Sequence, residues 1–303
     1  MLMQVSSEYV GGIEAGGTKF VCAVANATNK LVNQAVIPTT TPSETMSKVV
    51  AFFKSHGAPL KAIGIGAFGP VSIDRRAGDF GKILTTPKAG WSGFDIYRYV
   101  QTELSTQIAI DTDVNCALLS ESALGAGRGF RNIAYATIGT GIGAGIMIDG
   151  QMIYGSSHPE IGHMFVPILD RDADFAGVCA YHGNQCFEGL ICGPAVKARW
   201  GFNSSELSAD HEGWEVIAHY ISLLCMNLRL AVSPDLIILG GGVMKQSNLF
   251  PIIRDKLAAK LNGYGAGENS QIDMSRFIVP PLLDGDAGVL GAIEIARRQA
   301  SES

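Results

Sequence analysis

Two glycine-rich turns in equivalent positions constrain this chain more than anything else in it. Gly16-Gly17-Thr18 joins the runs YVGGIEA and KFVCAVA, and Gly139-Thr140-Gly141 joins IAYATI to IGAGIMID. Short β-rich runs broken by turn residues read as antiparallel strands. Each pair is followed by a third run, LVNQAVI in one case and QMIY in the other. After the first triplet come a helix over ETMSKVVAFFKS, with Ser43 expected as its cap, and the buried strand KAIGIGAF. The helix FDIYRYVQTEL, the strand IAIDTD and a helix from VNCALLSESALGAG complete one β-β-β-α-β-α unit by about residue 126. The second triplet starts a repeat of that plan. An insertion rich in Gly, His and Cys interrupts it from about 155 to 195. Helices around 194–200 and 213–232, the strand DLIILGGG, the helix LFPIIRDKLAAKL, FIVPPLL and a terminal helix from Gly288 then complete it. Such a repeat predicts an α/β protein of two lobes with a cleft between them.

Composition narrows the class. With 303 residues, 47% of them hydrophobic and 17% charged, the chain can bury a large core, and its length suits about two domains. The net charge of -5 comes without basic clusters, which argues against nucleic acid or an anionic membrane as partner and favours a small molecule. The amino terminus shows no signal-peptide pattern and no 18-residue apolar run stands out, so a cytoplasmic location is expected. Cys22, Cys116, Cys192 and Cys225 sit singly in apolar or helical surroundings and read as small buried hydrophobes.

The 37 glycines concentrate in GGIEAGGTK, GTGIGAG, the GGG at 240–242 and GDAG at 285–288. Glycine lets backbone amides approach a ligand and form anion-binding nests, so these loops are candidates for nucleotide phosphates, or simply tight hairpins. Known templates fail by position. Thr18 precedes Lys19 and a strand follows, unlike a Walker loop, and GTGIGA lies between antiparallel strands, unlike a dinucleotide fingerprint. In IAIDTDVNCALLSE, Asp113 stands where a strand becomes a helix. It can cap that helix, or it can orient a hydroxyl and take its proton during phosphoryl transfer.

The segment HPEIGH, His158 to His163, resembles zinc hydrolase motifs without matching one. Pro159 and Gly162 oppose the helix that would turn both histidines to one metal. His163, Cys179, His182 and Cys186 instead form H-x15-C-x2-H-x3-C. Two thiolates and two imidazoles favour a closed tetrahedral structural zinc site, with no open position for a catalytic water.

EAGGTK, GAFGP, TPKAGW, DTDVN, TIGTGIGAG, HPEIGH, the Cys-His-Cys insertion, EGLICGP and LGGGV occur in the order found in bacterial fructokinases of the ROK family of sugar kinases. The chain resembles that family from about residue 10 to 295. The resemblance implies two actin-like, ribonuclease H-like lobes, with a zinc-binding insertion in the second. The first would be residues 1–118, with the helix from about 287 to 303 packing back on it, and the second 119–286. It implies transfer of the γ-phosphoryl of ATP, with magnesium, to the 6-hydroxyl of D-fructose. Mannose, glucose or an N-acetylhexosamine are the alternative substrates. A non-catalytic ROK regulator is the further alternative, though only about ten residues precede the first strand, too few for a DNA-binding helix-turn-helix.

Residue by residue, the resemblance makes Asp113 the catalytic base. It places Glu160, Glu188 and His163 against sugar hydroxyls, with Gly69 and Asn115 near the same pocket. Gly16, Gly17, Thr18 and Lys19 match the first phosphate loop, Thr140 and Gly141 the second, and Gly241 and Gly242 the adenosine site. Glu14 and Thr112 depart from the family's glucokinases, which carry Asp and Asn there; Glu14 is a candidate to hold hydrated magnesium. A homodimer is expected from the same resemblance.

Overall fold

The computed structural model describes residues 8–28, 30–264 and 272–301. The expectation that no leader precedes the fold concerns residues 1–7, outside that set. In chain order the elements are β1 (Tyr9–Ala15), β2 (Lys19–Ala25), β3 (Leu31–Pro38), α1 (Pro42–Ser55), β4 (Leu60–Ala67), α2 (Ile96–Leu104), β5 (Gln107–Thr112) and α3 (Asp113–Leu124). Then come β6 (Ile133–Ile138), β7 (Ile142–Ile148), β8 (Gln151–Met152), α4 (Phe187–Ile191), α5 (Gly193–Trp200) and α6 (Gly213–Val232). The last are β9 (Leu236–Gly240), α7 (Leu249–Leu261), α8 (Met274–Phe277), β10 (Ile278–Val279) and α9 (Ala287–Ser301).

The chain divides into two compact units: Met1–Glu121 with Tyr154–His158 and Gly285–Ser303, and Ser122–Ile153 with Pro159–Asp284. In the first, the sheet runs β3-β2-β1-β4-β5. Its hairpin strands are antiparallel, and β4 and β5 are parallel to β1. One face carries Ile13, Phe20, Ile63 and Ile65 against Met46, Phe53 and Ile96 of the flanking helices. On the other, Val10, Val21, Ala23 and Ala62 meet Val289, Ile293 and Ala296 of α9. That helix comes so near the sheet that a Cβ at Gly64 would lie 1.8 Å from the Ala292 carbonyl oxygen, so only glycine fits.

The second unit repeats the order as β10-β9-β6-β7-β8. β6 pairs antiparallel with β7 and parallel with β9. Its core gathers Ala136, Ile138, Ile146, Phe187, Leu190, Ile237 and Leu239 with the apolar face of α6. By length and composition α6 could cross a membrane, yet half of its apolar window is buried in the protein, among it Trp214, Ile217, Tyr220 and Leu224.

Two local readings change. The cap of α1 is Thr41, whose Oγ1 accepts from the Glu44 amide at 3.4 Å, and not Ser43. Pro42 explains the shift, because its fixed φ and missing N–H suit the first helical turn. The chain also leaves the second unit for five residues, Tyr154–His158, inside what reads in sequence as one insertion.

Candidate active site and metal centre

In the first unit, parallel pairing puts the carboxyl ends of β1, β4 and β5 at one sheet edge. Glu14 pairs with Gly66, and Gly66 with Asp111, so the three stand in one row across the sheet. Gly66 has no side chain, and the Cys116 thiol fills the gap: a Cβ there would come within 2.9 Å of its Sγ. Burial, reinforced by Asp111, Asp113 and Glu14, pushes that thiol far above its usual range. Glu14 is pushed up to about 7, first by burial and then by the negative charge of Asp113, with Asp286 adding and Lys19 opposing. Its Oε2 is buried without a hydrogen-bond partner among the described residues. A buried carboxylate with an unmatched oxygen, beside two further carboxylates, fits a hydrated divalent cation.

At the junction of β5 and α3, Thr112 supplies the cap, its Oγ1 accepting from the Asn115 amide at 3.1 Å. Asp113, the first residue of α3, is half-buried, and its Oδ1 accepts from the Val114 amide at 2.8 Å. The bond to the N3 amide thus comes from Thr112, while Asp113 also accepts from a first-turn amide. Asn115 is buried, and its Nδ2 donates to Asp111 Oδ1 at 2.7 Å. Gly69 is exposed in the loop after β4. The first hairpin is tight, with the Gly16 amide donating to the Lys19 carbonyl at 3.0 Å, and Thr18 and Lys19 are exposed at its end. Lys88, from TPKAGW, lies against this turn: a side chain at Gly17 would come within 2.7 Å of its Cε. Sequence reasoning missed Lys88, although a lysine inside a quoted motif was the signal.

In the second unit, Thr140 is exposed at the tip between β6 and β7, and the Gly139 amide donates to the Gly141 carbonyl at 2.9 Å. The Gly193 amide, at the start of α5, donates to the Gly139 carbonyl at 2.7 Å. Gly241 has φ +93°, and a Cβ on it would lie 2.4 Å from the Ile138 carbonyl oxygen; a Cβ on Gly242 would meet open space. The hairpin tip, the start of α5 and the GGG loop therefore converge, with amides rather than side chains at their surface.

Glu188, on α4, also reaches this hairpin. Its Oε2 accepts from the Ile142 amide at 2.9 Å, and its Oε1 lies 3.9 Å from His163 Nε2. The other ring nitrogen of His163 faces sulfur, 3.7 Å from Cys179 Sγ and 3.9 Å from Cys186 Sγ, while His182 Nδ1 is 3.7 Å from Cys179 Sγ. All four donors lie within 4.8 Å of one another. A tetrahedral zinc with bonds of ~2.0 and ~2.3 Å would space N and S about 3.6 Å apart, so the set fits. His158 supplies none of these donors; it belongs to the first unit, beside Asp111. Glu160 is exposed, and its carbonyl accepts from the His163 amide at 3.0 Å, closing a 3-10 turn over Ile161–His163.

The structure thus brings Asp113, Asn115 and Glu14 together in one unit, and His163, Glu188 and Gly141 together in the other. A model of the ROK family matches residues 10–299. The chain belongs to the ROK family. Among relatives of this ROK chain, the fructokinase of Pediococcus pentosaceus is 42% identical, over 95% of this chain and 97% of its own length. The fructokinase of Zymomonas mobilis is 38% identical, over 97% and 98%. Among solved structures, the ROK hexokinase from Thermus thermophilus superposes with a TM-score of 0.78 at 24% identity, covering 97% of this chain and all of that one. The Streptomyces griseus ROK glucokinase, in complex with glucose and AMPPNP, does so at 0.74 and 24%, covering 96% and 99%. These last two likenesses speak to the fold alone.

Proposed function

We propose that this ROK protein is an ATP-dependent fructokinase that forms fructose 6-phosphate and ADP. The observation that carries the reading is near-full-length identity of about two-fifths to fructokinases, on a chain whose strand-to-helix junction presents Asp113 while Thr112 caps the helix. Asp113 accepts the proton of the 6-hydroxyl as that oxygen bonds to the γ-phosphorus and the bond to the β-phosphate oxygen breaks. Magnesium bound with ATP neutralises phosphate charge, and Glu14 would hold it through water. Gly16 to Lys19 and Thr140–Gly141 grip phosphates, with Lys88 added beside the first loop, and Gly241–Gly242 receive adenosine. Asn115, Gly69, Glu160, Glu188 and His163 surround the sugar.

The zinc ion belongs to the same reading: His163, Cys179, His182 and Cys186 hold it, and it supplies local order to the insertion rather than chemistry. The same sugar-kinase reading carries a cytoplasmic location, and the family resemblance supports a homodimer.

The test is a coupled ATP assay over fructose, mannose, glucose and N-acetylhexosamines, run on wild type and Asp113→Asn. Fructose should give the highest kcat/KM, and the variant should lose about a thousandfold or more in kcat while still binding fructose. A higher kcat/KM for an aldose overturns the choice of sugar. Turnover of the variant within a few-fold of wild type overturns Asp113 as base.

A further inference from the structure

Asn115 is buried, and its side-chain oxygen Oδ1 has no hydrogen-bond partner among the described residues. A buried acceptor without a donor is costly unless a ligand supplies one. Which way an amide presents its oxygen is decided by what holds its nitrogen. Here that partner is Asp111, whose Oδ1 accepts from Asn115 Nδ2 at 2.7 Å and from the Thr112 amide at 2.7 Å. The other oxygen of the same carboxylate accepts from the Tyr154 hydroxyl at 2.5 Å. Asp111 is thus fixed from both sides, and the oxygen it offers Asn115 is the one that already accepts from the Thr112 amide, so Asn115 turns its NH2 toward it. The oxygen is left to meet a donor.

Tyr154 reaches Asp111 only because the chain enters the first unit for the five residues Tyr154–His158. Its ring is exposed while its hydroxyl is spent on the carboxylate.

We propose that Asp111, steadied by Tyr154, is a positioning residue that sets Asn115 as an acceptor for a hydroxyl of the sugar. The proposal rests on the reading of Asn115 as part of the sugar pocket. Neither Asp111 nor Tyr154 need touch the substrate. What matters is the acceptor at Oδ1, not the charge: asparagine at 111 can keep its own oxygen toward Thr112 and Asn115 and turn its NH2 to the Tyr154 oxygen.

The test is a cycle of KM and kcat measurements for fructose and for ATP. Asn115→Ala should raise fructose KM about tenfold, the worth of one hydrogen bond to a buried group, with ATP KM unchanged. Asp111→Ala should do the same, and the double variant should be no worse than Asn115→Ala alone, because the two act as one unit. Asp111→Asn should stay within about threefold of wild type. Should Asp111→Ala not fold, Tyr154→Phe takes its place in the cycle, with a rise of about threefold that disappears in the Asn115→Ala background. An unchanged fructose KM in Asn115→Ala removes Asn115 from the sugar pocket, and the proposal with it. If Asn115→Ala behaves as expected, two results overturn the proposal alone: a further loss in the double variant, or Asp111→Asn as impaired as Asp111→Ala.

Discussion

At Gly16–Thr18 the surroundings of the hairpin are charged: Lys19 and Lys88 lie at the turn, and Glu14 and Asp113 behind it. At Gly139–Gly141 they are mostly backbone, with the Gly193 amide on the Gly139 carbonyl and Gly241 pressed against Ile138. Glu188, which reaches this hairpin, is already bonded to the Ile142 amide and faces His163 of the Cys-His cluster. Two copies of one topology have therefore been made responsive to different variables. The first hairpin should answer to pH and cations, the second to backbone geometry and to whatever orders the insertion.

The sharpest way to break this contrast is to remove the metal. Cys179→Ser, or exhaustive chelation, should abolish bound zinc and lower the melting temperature by about 10 °C, as loss of a folding-coupled metal does. Fructose KM should rise through Glu188, whereas the pH response assigned to Glu14 should persist. Metal analysis and calorimetry on one sample check both.

Next in size is a paired substitution in the GGG loop. Gly241→Ala forces φ +93° and a 2.4 Å approach on a residue with a side chain, and should cost about 3 kcal/mol, together with a raised ATP KM. Gly242→Ala meets open space and should stay within about 0.5 kcal/mol. Equal effects in denaturant titrations would mean that backbone geometry is not what supports this hairpin.

Glu14 sharpens the other side. Its pKa in the fold, about 7, stands above the ordinary 4.5, so both folded and unfolded chains are protonated well below pH 4.5 and it costs nothing there. Between 4.5 and 7 the unfolded chain ionises while the folded one keeps its proton, and stability falls as pH rises; above 7 the penalty is full. Glu14→Gln should therefore match wild type at pH 4 and exceed it by on the order of 2–3 kcal/mol at pH 8 without magnesium. Urea titrations at the two pH values check this.

The smallest expected effect separates sugar contact from metal holding within HPEIGH. Glu160→Gln should raise fructose KM by about tenfold or less and leave zinc content unchanged. Loss of zinc in this variant would place Glu160 in the support of the metal rather than at the sugar.

What could be read in the sequence was what short spacing determines. The two glycine turns stood out because each joins two strand-like runs, and the quartet His163, Cys179, His182, Cys186 because its spacing is compact. Asp113 was visible at a strand-to-helix junction, but not that Thr112 would do the capping. The less legible features depend on distant returns of the chain. Tyr154 meets a carboxylate 43 residues earlier, and nothing local in YGSSH announces that its hydroxyl is aimed at Asp111. Lys88 comes to the first hairpin in the same way, from a loop with no regular period. The orientation of Asn115 depends on Asp111 four residues before it on a strand, a relation that helix and strand periodicities do not describe.

The seat of α9 carries one more consequence, for how the molecule is made. The first unit takes residues up to Glu121 but is closed by Val289, Ile293 and Ala296, which follow the whole of the second unit in the chain. During synthesis every residue of the second unit is available before the first can cover its sheet. Vectorial folding should therefore run backwards here, the later-encoded unit maturing first, with the apolar row Val10, Val21, Ala23 and Ala62 uncovered until α9 has been made.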